Sequence, residues 1–304
     1  MTATNKIKHV FTVEVELYHR VPLEALRDYI KDAVERWHGQ YNPTEDVRFG
    51  SVKRATVQHV CTECDNLRRR EMIDKIDVLD HGYVRLVDHM GDDLSIVRAA
   101  RVSHNAAWRT GEDADKDVKL LTYLMKNNHS TPFEHVTLTF EVKAPIFVFR
   151  QWHRHRTWSF NEMSARYSEL SEEFYLPDRD KLTTQSKDNK QGRTNTALPD
   201  VEVLTAIMRQ SNEDAFAVYR MLLKHGVARE LARTVLPVAT YSSMFATVNL
   251  WNLLRFLKLR MHEHAQYEIR VYADAMFELV RQRVPHACAI WFEQTYGVED
   301  CNGD

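Results

Sequence analysis

Residues 150–168 read Arg-Gln-Trp-His-Arg-His-Arg-Thr-Trp-Ser-Phe-Asn-Glu-Met-Ser-Ala-Arg-Tyr-Ser. Four arginines (Arg150, Arg154, Arg156, Arg166) and two histidines (His153, His155) stand against one acid, Glu162, in a chain of formal charge -2. The excess of cation is therefore local. Just upstream, Pro145-Ile146-Phe147-Val148-Phe149 reads as the start of a helix, with Pro145 at a tolerated first position. Continued to Arg156, this helix would set Gln151, Arg154 and His155 on one side of its last turns, where cations suit the macrodipole. Thr157 to Arg166 reads as a loop rich in groups that bind a phosphate or a planar heterocycle. By themselves these residues also allow a solvated basic helix end or aromatic platforms for stacking RNA bases.

Arg154-His155-Arg156, seven further residues and then Ser164 resemble the RHR-x7-S signature of the flavin-dependent thymidylate synthases. Asn161-Glu162-x-Ser164-x-Arg166-Tyr167-Ser168 extends the likeness. Other segments are similar to the same family: Ile96 to Ser103 (IVRAARVS), His129 to His135 (HSTPFEH), Ala228 to Pro237 (ARELARTVLP) and Leu259 to Ile269 (LRMHEHAQYEI). One departure is Arg255, where family members often carry a shorter polar residue against the cofactor.

The resemblance implies an α+β fold: a central, mainly antiparallel sheet with packed helices, in a catalytic domain over residues 73–304. It implies FAD-dependent reductive methylation of deoxyuridine monophosphate (dUMP) to thymidylate (dTMP). Methylenetetrahydrofolate would give the carbon and NADPH the reducing equivalents. It further implies a homotetramer with sites shared between subunits; the cytoplasmic location expected for the chain comes instead from its four cysteines, too few for a disulfide scaffold. By the same resemblance Ser103, Thr131, Arg154, His155, Arg156, Asn161, Glu162, Asn249 and His264 would hold FAD. Gln151, Ser164, Arg166, Arg233 and Arg260 would hold dUMP, with Arg233 from a neighbouring subunit. His129 and Tyr167 would lie on the folate side, and Ser164 and Arg260 nearest the chemistry.

The residue types suit that division of labour. A phosphate dianion calls for planar, permanently charged donors, and Arg offers bidentate geometry that Lys does not. The amide of Gln151 can read a uracil edge. A guanidinium at Arg260 can stabilise charge developing on the ring. Ser164 lies between Met163 and Ala165, without the G-x-S-x-G turn of a strained nucleophile. Neither a Gly-rich dinucleotide loop nor a P-loop occurs in the chain, so a Rossmann domain and a P-loop NTPase are excluded. The cysteine-dependent route to thymidylate needs a reactive thiol, and Cys288, in His286-Ala287-Cys288-Ala289-Ile290, reads as buried on a helix. A flavin/folate enzyme leaving a hydroxymethyl group on a pyrimidine nucleotide is the enzymatic rival; an RNA-binding protein is the rival from another class.

The remaining chain frames this reading. At 304 residues and 44% hydrophobic content it can bury a large core. It has no apolar run of membrane-spanning length, and its start lacks the apolar centre of a signal peptide. The near-neutral charge argues against a dedicated nucleic-acid binder. Residues 1–72 read as a small β-α-β extension: a strand over His9–Leu17, a helix over Pro22–Trp37 and a returning strand over Val47–Val60. Cys61 and Cys64 with His59 make half a zinc site with no second pair, so an incidental turn is favoured and no metal is expected.

Further on, Ile76 to Val87 reads as two strands around Gly82, and Asp93 or Ser95 would cap a helix. Helices are expected over Ala114–Asn127, Asp200–His225 (ended by Gly226), Val248–Arg260 and, last, Ile269–Val284. The buried stripe of the second of these would include Val203, Ile207, Met208, Phe216 and Tyr219. A strand is expected over Val136–Val142, and a mobile polar loop over Asp178–Thr196.

Overall fold

The computed structural model describes residues 74–297. The expected β-α-β extension, the Cys61–Cys64 pair and the acidic tail lie outside the described residues. A five-stranded antiparallel sheet, in the order β1-β2-β3-β7-β4, organises the domain. Its strands are β1 (Lys75–Val78), β2 (Gly82–Met90), β3 (Thr137–Pro145), β4 (Ser159–Glu162) and β7 (Tyr241–Asn249). A two-stranded hairpin, β5 (Thr183–Gln185) and β6 (Arg193–Ala197), stands apart from it. The α+β expectation is met.

β3 alternates as a strand with one core face should: Leu138, Phe140, Val142 and Ala144 are fully buried and the residues between them are not. β7 pairs with it along its whole length, from Thr137 opposite Asn249 to Pro145 opposite Tyr241. Among the described residues there are eight α-helices, in chain order α1 (Asp93–Arg101), α2 (Ala114–Lys126), α3 (Ile146–Trp152), α4 (Val201–Lys224), α5 (Arg229–Ala232), α6 (Leu250–Arg260), α7 (Tyr267–Val280) and α8 (Pro285–Tyr296). None is long and apolar enough to cross a membrane.

The cap of α1 differs from expectation. Asp92 is the N-cap, accepting from the Ser95 backbone N–H while the Ser95 hydroxyl accepts from that of Asp92, a reciprocal capping box. Asp93 is buried and serves α8 instead, accepting the backbone N–H groups of His286 and Ala287, each at 2.9 Å. Its carboxylate thus satisfies two of the orphan donors of a different helix.

Four other expectations are corrected. The helix after Pro145 stops at Trp152 and does not reach Arg156. Trp152 and Trp158 are both buried against Phe256, with their own ring centroids 5.9 Å apart. In a continuous helix six residues advance about 9 Å and turn to a different face, so joint burial of the two indoles ends the helix. The supposed loop beyond contains β4. The polar stretch 178–196 is likewise ordered, as a short 3-10 turn at Arg179–Lys181 and the β5–β6 hairpin. Finally, α7 is not the last helix; α8 follows, and Cys288 on it is buried as expected.

Candidate active site

Two groups of predicted residues form in the chain. The first gathers at the C-terminal ends of α3 and α6. Arg260 stands on the last turn of α6, and its guanidinium reaches across to α3, donating from Nη2 to the Gln151 carbonyl at 3.1 Å. That carbonyl is one of the orphan acceptors at a helix end, so the contact has a structural reason as well as a local one. From Nε, Arg260 donates to Nε2 of His155, also at 3.1 Å. The His155 ring lies edge-on to Phe256, 4.9 Å between centroids.

A histidine that accepts at Nε2 carries its proton on Nδ1, so His155 presents an N–H outward. Burial, then the neighbouring Arg260 charge, pushes its pKa down to about 4. It is a neutral imidazole throughout the physiological range. Gln151, half-buried, donates from Nε2 to Oε1 of Gln266 at 2.6 Å. Helix α6 ends at Arg260, so Arg260 and His264 do not stand one helical turn apart. His264 sits in the exposed turn before α7, its ring 4.9 Å from that of His262.

Arg154 and Arg156 flank His155 on the turn bracketed by the two buried tryptophans. Both are exposed, and among the described residues neither is paired with a carboxylate. Their charges remain available to an anion. Asn161 and Glu162 lie on edge strand β4, where Glu162 accepts a hydrogen bond from the Ser242 hydroxyl at 2.8 Å. Asn249 caps α6: its Oδ1 accepts from both the backbone and side-chain nitrogens of Asn252, leaving its own NH2 as a donor. Ser103 and Thr131 are exposed on 3-10 turns, as is His129 next to the second of them. This donor set, cationic and amide-rich with no acid opposing Arg154 and Arg156, fits a flavin dinucleotide, whose pyrophosphate needs cations and whose ring edge needs N–H donors.

The second group surrounds Glu230. Arg166 pairs with its carboxylate at 3.2 Å, and Arg233 donates from Nε to its backbone carbonyl at 3.4 Å. Ser164 Oγ accepts the Arg166 backbone N–H, and its carbonyl accepts those of Tyr167 and Ser168, forming a tight turn that presents Ser164 and Arg166 together. Tyr167 is 77% exposed. Among the described residues no hydrogen bond joins Ser164 to an imidazole. Arg166 and Arg233 thus meet at Glu230 within one chain. Among the described residues no hydrogen bond or ion pair joins this group to the Gln151–His155–Arg260 group. A groove of about 870 Å³ between α7 and α8 contains none of the predicted site residues.

Cys288 is 1% exposed; burial foremost, then the Asp93 charge, pushes its thiol pKa well up. No cluster of metal-ligating side chains occurs among the described residues.

Four residues that matter to the first group carried no role in the sequence reading: Gln266, Glu268, Tyr175 and Arg193. The first two stand in the quoted LRMHEHAQYEI segment, where a glutamate beside the first turn of an apolar helix could have prompted a search for its partner. Tyr175 and Arg193 carried no signal at all.

A family model described as thymidylate synthase complementing protein matches residues 85–286. A flavin-dependent thymidylate synthase of Treponema denticola is 50% identical over 215 residues, covering 70% of this chain and 79% of the relative. One from Thermus thermophilus is 51% identical over 218 residues, covering 72% and 78%. Among solved structures, a UMP/dUMP methylase, PolB of Streptomyces cacaoi with bound 5-Br dUMP, is 39% identical with a TM-score of 0.66, covering 73% of this chain and 99% of that one.

Proposed function

Because the chain belongs to the thymidylate synthase complementing protein family, whose relatives above are flavin-dependent thymidylate synthases, we propose that it converts dUMP to dTMP with FAD, methylenetetrahydrofolate and NADPH. The observation that carries this reading is the meeting of Gln151, His155 and Arg260, which brings an amide, a neutral imidazole and a guanidinium from distant segments to one place. The family match over residues 85–286 supports assigning catalysis to residues 73–304 and leaving residues 1–72 as an accessory segment.

Bound FAD would supply the hydride that methylation at C5 needs when no protein thiol takes part. Arg154 and Arg156 hold its phosphates, and His155 offers Nδ1–H to its ring edge. Asn161, Asn249, Ser103, Thr131 and His264 add neutral donors, with Glu162 placed by Ser242. On the nucleotide side Arg166 and Arg233 take the phosphate, with the Ser164 hydroxyl beside them. To engage a phosphate fully, Arg166 exchanges Glu230 for the ligand. Gln151 reads the uracil edge, and Arg260 stabilises negative charge on the ring carbonyls. His129 and Tyr167 face the folate.

The two unlinked groups support a site completed between copies, the phosphate group of one chain facing the base-reading group of another. Helix α4 supports the same assembly. Val203, Ile207, Val218 and Met221 line one exposed side of it, with Leu231 of α5 also exposed. An apolar face of this kind is ordinarily covered in an assembled protein, and a homotetramer would cover it.

The test is product analysis. Flavin-loaded protein with methylenetetrahydrofolate and NADPH should turn dUMP into a product with the mass of dTMP. A hydroxymethyl product, or turnover of UMP in preference to dUMP, would overturn the assignment.

A further inference from the structure

We propose that Arg193, on the β5–β6 hairpin, is a specificity-positioning residue: together with Glu268 it fixes which end of the Gln151 amide faces the nucleotide base. This rests on the reading of Gln151 as the residue that contacts the uracil edge.

Glu268, at the start of α7, is 2% exposed, yet its carboxylate accepts three hydrogen bonds. Arg193 Nη1 and Tyr175 Oη each reach Oε1 at 3.0 Å, and Gln266 Nε2 reaches Oε2 at 2.9 Å. A carboxylate only accepts. Gln266 must therefore turn its NH2 toward Glu268 and its carbonyl oxygen away. That oxygen accepts from Gln151 Nε2 at 2.6 Å, so Gln151 in turn has its NH2 held toward Gln266 and its Oε1 free. Reversing either amide sets donor against donor or acceptor against acceptor along the relay. The direction of the whole relay is set at its buried end.

Arg193 is what keeps that end fixed. A buried carboxylate needs a compensating cation, and Arg193 is the one bonded to Glu268. The hairpin that carries it is fastened to the same helix turn: Lys181 Nζ and the Arg193 guanidinium lie 4.8 and 5.6 Å from the centre of the Tyr267 ring. These contacts anchor the segment, which has no large apolar side chain between Thr183 and Ala197 to bury.

The chemical consequence concerns the base. Uracil presents a donor at N3 flanked by carbonyl acceptors; cytosine presents an acceptor at N3 beside an amino donor. An amide free to rotate satisfies either pattern. An amide held with its oxygen facing ring N3 accepts the uracil N3–H and meets a second acceptor at the cytosine N3. The relay thus acts as a discriminator between uracil and cytosine nucleotides, and Arg193 works through Gln151 without needing to touch the ligand.

The experiment is equilibrium binding of dUMP and dCMP to the flavin-loaded full chain. Wild type is compared with Arg193→Met, Glu268→Gln, Gln151→Ala and the Arg193→Met/Gln151→Ala double variant, with retained flavin absorption reporting a folded protein. Arg193→Met should reduce the dUMP-to-dCMP affinity ratio by about tenfold, a coupling in the usual range for contacting residues, and Glu268→Gln should do the same. In the Gln151→Ala background the Arg193 change should have no further effect on the ratio. Equal weakening of both nucleotides by Arg193→Met, or losses that simply add in the double variant, would overturn the relay while leaving Gln151 as the base reader. If Gln151→Ala leaves dUMP affinity and preference intact, the underlying reading of Gln151 falls as well.

Discussion

Arg260 donates its Nε–H to Nε2 of His155 at 3.1 Å, tying the end of α6 to the turn that follows α3. The contact requires a neutral ring, and burial together with Arg260 lowers the His155 pKa to about 4. An unfolded histidine titrates near 6.5. Between these values the unfolded chain binds more protons than the folded one, so this site's contribution to stability is complete above about pH 6.5 and is lost as the pH falls toward 4. An NMR titration should show the His155 ring unprotonated at pH 5.5. Arg260→Ala should move its midpoint upward; an unchanged midpoint would mean that Arg260 does not act on it.

If Arg166 takes the substrate phosphate as proposed, Glu230 competes with that phosphate for it. The pair is about half exposed on both sides, and exposed pairs of this kind contribute about 0–1 kcal/mol. Glu230→Gln should accordingly tighten dUMP binding by up to about fivefold. Arg166→Ala should raise the KM for dUMP by about ten- to a hundredfold, the loss of a charge-assisted bond. Ser164→Ala should retain turnover. Abolished turnover in that variant, with nucleotide still bound, would reinstate a nucleophilic serine.

Cys288 should be dispensable for chemistry. Its thiol is buried and its pKa raised, so the thiolate that would attack a pyrimidine ring is disfavoured. Cys288→Ala should keep kcat within about twofold and cost about 1–2 kcal/mol of stability for the lost side-chain packing. A dead but folded Cys288→Ala enzyme would return the reaction to a cysteine mechanism.

Gly82 opens β2 where the chain turns back from β1. A side chain there would place its Cβ 1.9 Å from the Tyr272 hydroxyl and 2.7 Å from the Lys143 and Val78 carbonyl oxygens. The Tyr272 hydroxyl donates to that same Lys143 carbonyl, so two elements would have to separate. Gly82→Ala should lower the thermal midpoint substantially, by an amount equivalent to about 2 kcal/mol or more. A midpoint equal to wild type would show that α7 is not seated on this turn.

The parts of the fold that were legible in the sequence are those where one residue type does one job. Gly82 marked its turn, Gly226 with φ +80 ended α4, and the alternation of β3 placed its core face. The strand β7 was missed because its pattern is blurred: Ser242 is buried, Phe245 is 48% exposed, and its last two residues read as the start of the next helix. Val203 and Ile207 read as core because they are apolar, but α4 buries only the side carrying Phe216 and Tyr219 in this chain.

The site was legible as a set of motifs and not as a geometry. RHR-x7-S names Arg154, His155, Arg156 and Ser164, but spacing could not reveal that Arg260 would bind His155 and the Gln151 carbonyl. Nor could it show Arg166 and Arg233 meeting at Glu230. The polar hairpin was illegible for a physical reason. Its order depends on partners such as Glu268 that lie far along the chain, 75 residues away in that case.

The proposed function requires the guanidinium and imidazole groups of the two clusters to take a flavin dinucleotide and dUMP together. Its most direct test is the visible absorption spectrum of the purified full chain, incubated with FAD, freed of excess and then titrated with dUMP. Retained flavin bands that shift on adding dUMP, with the shift lost in Arg166→Ala and the bands themselves lost in a combined Arg154→Ala/Arg156→Ala variant, are the predicted result. A protein that retains no flavin, or whose retained flavin is indifferent to dUMP and to the loss of these arginines, would contradict it.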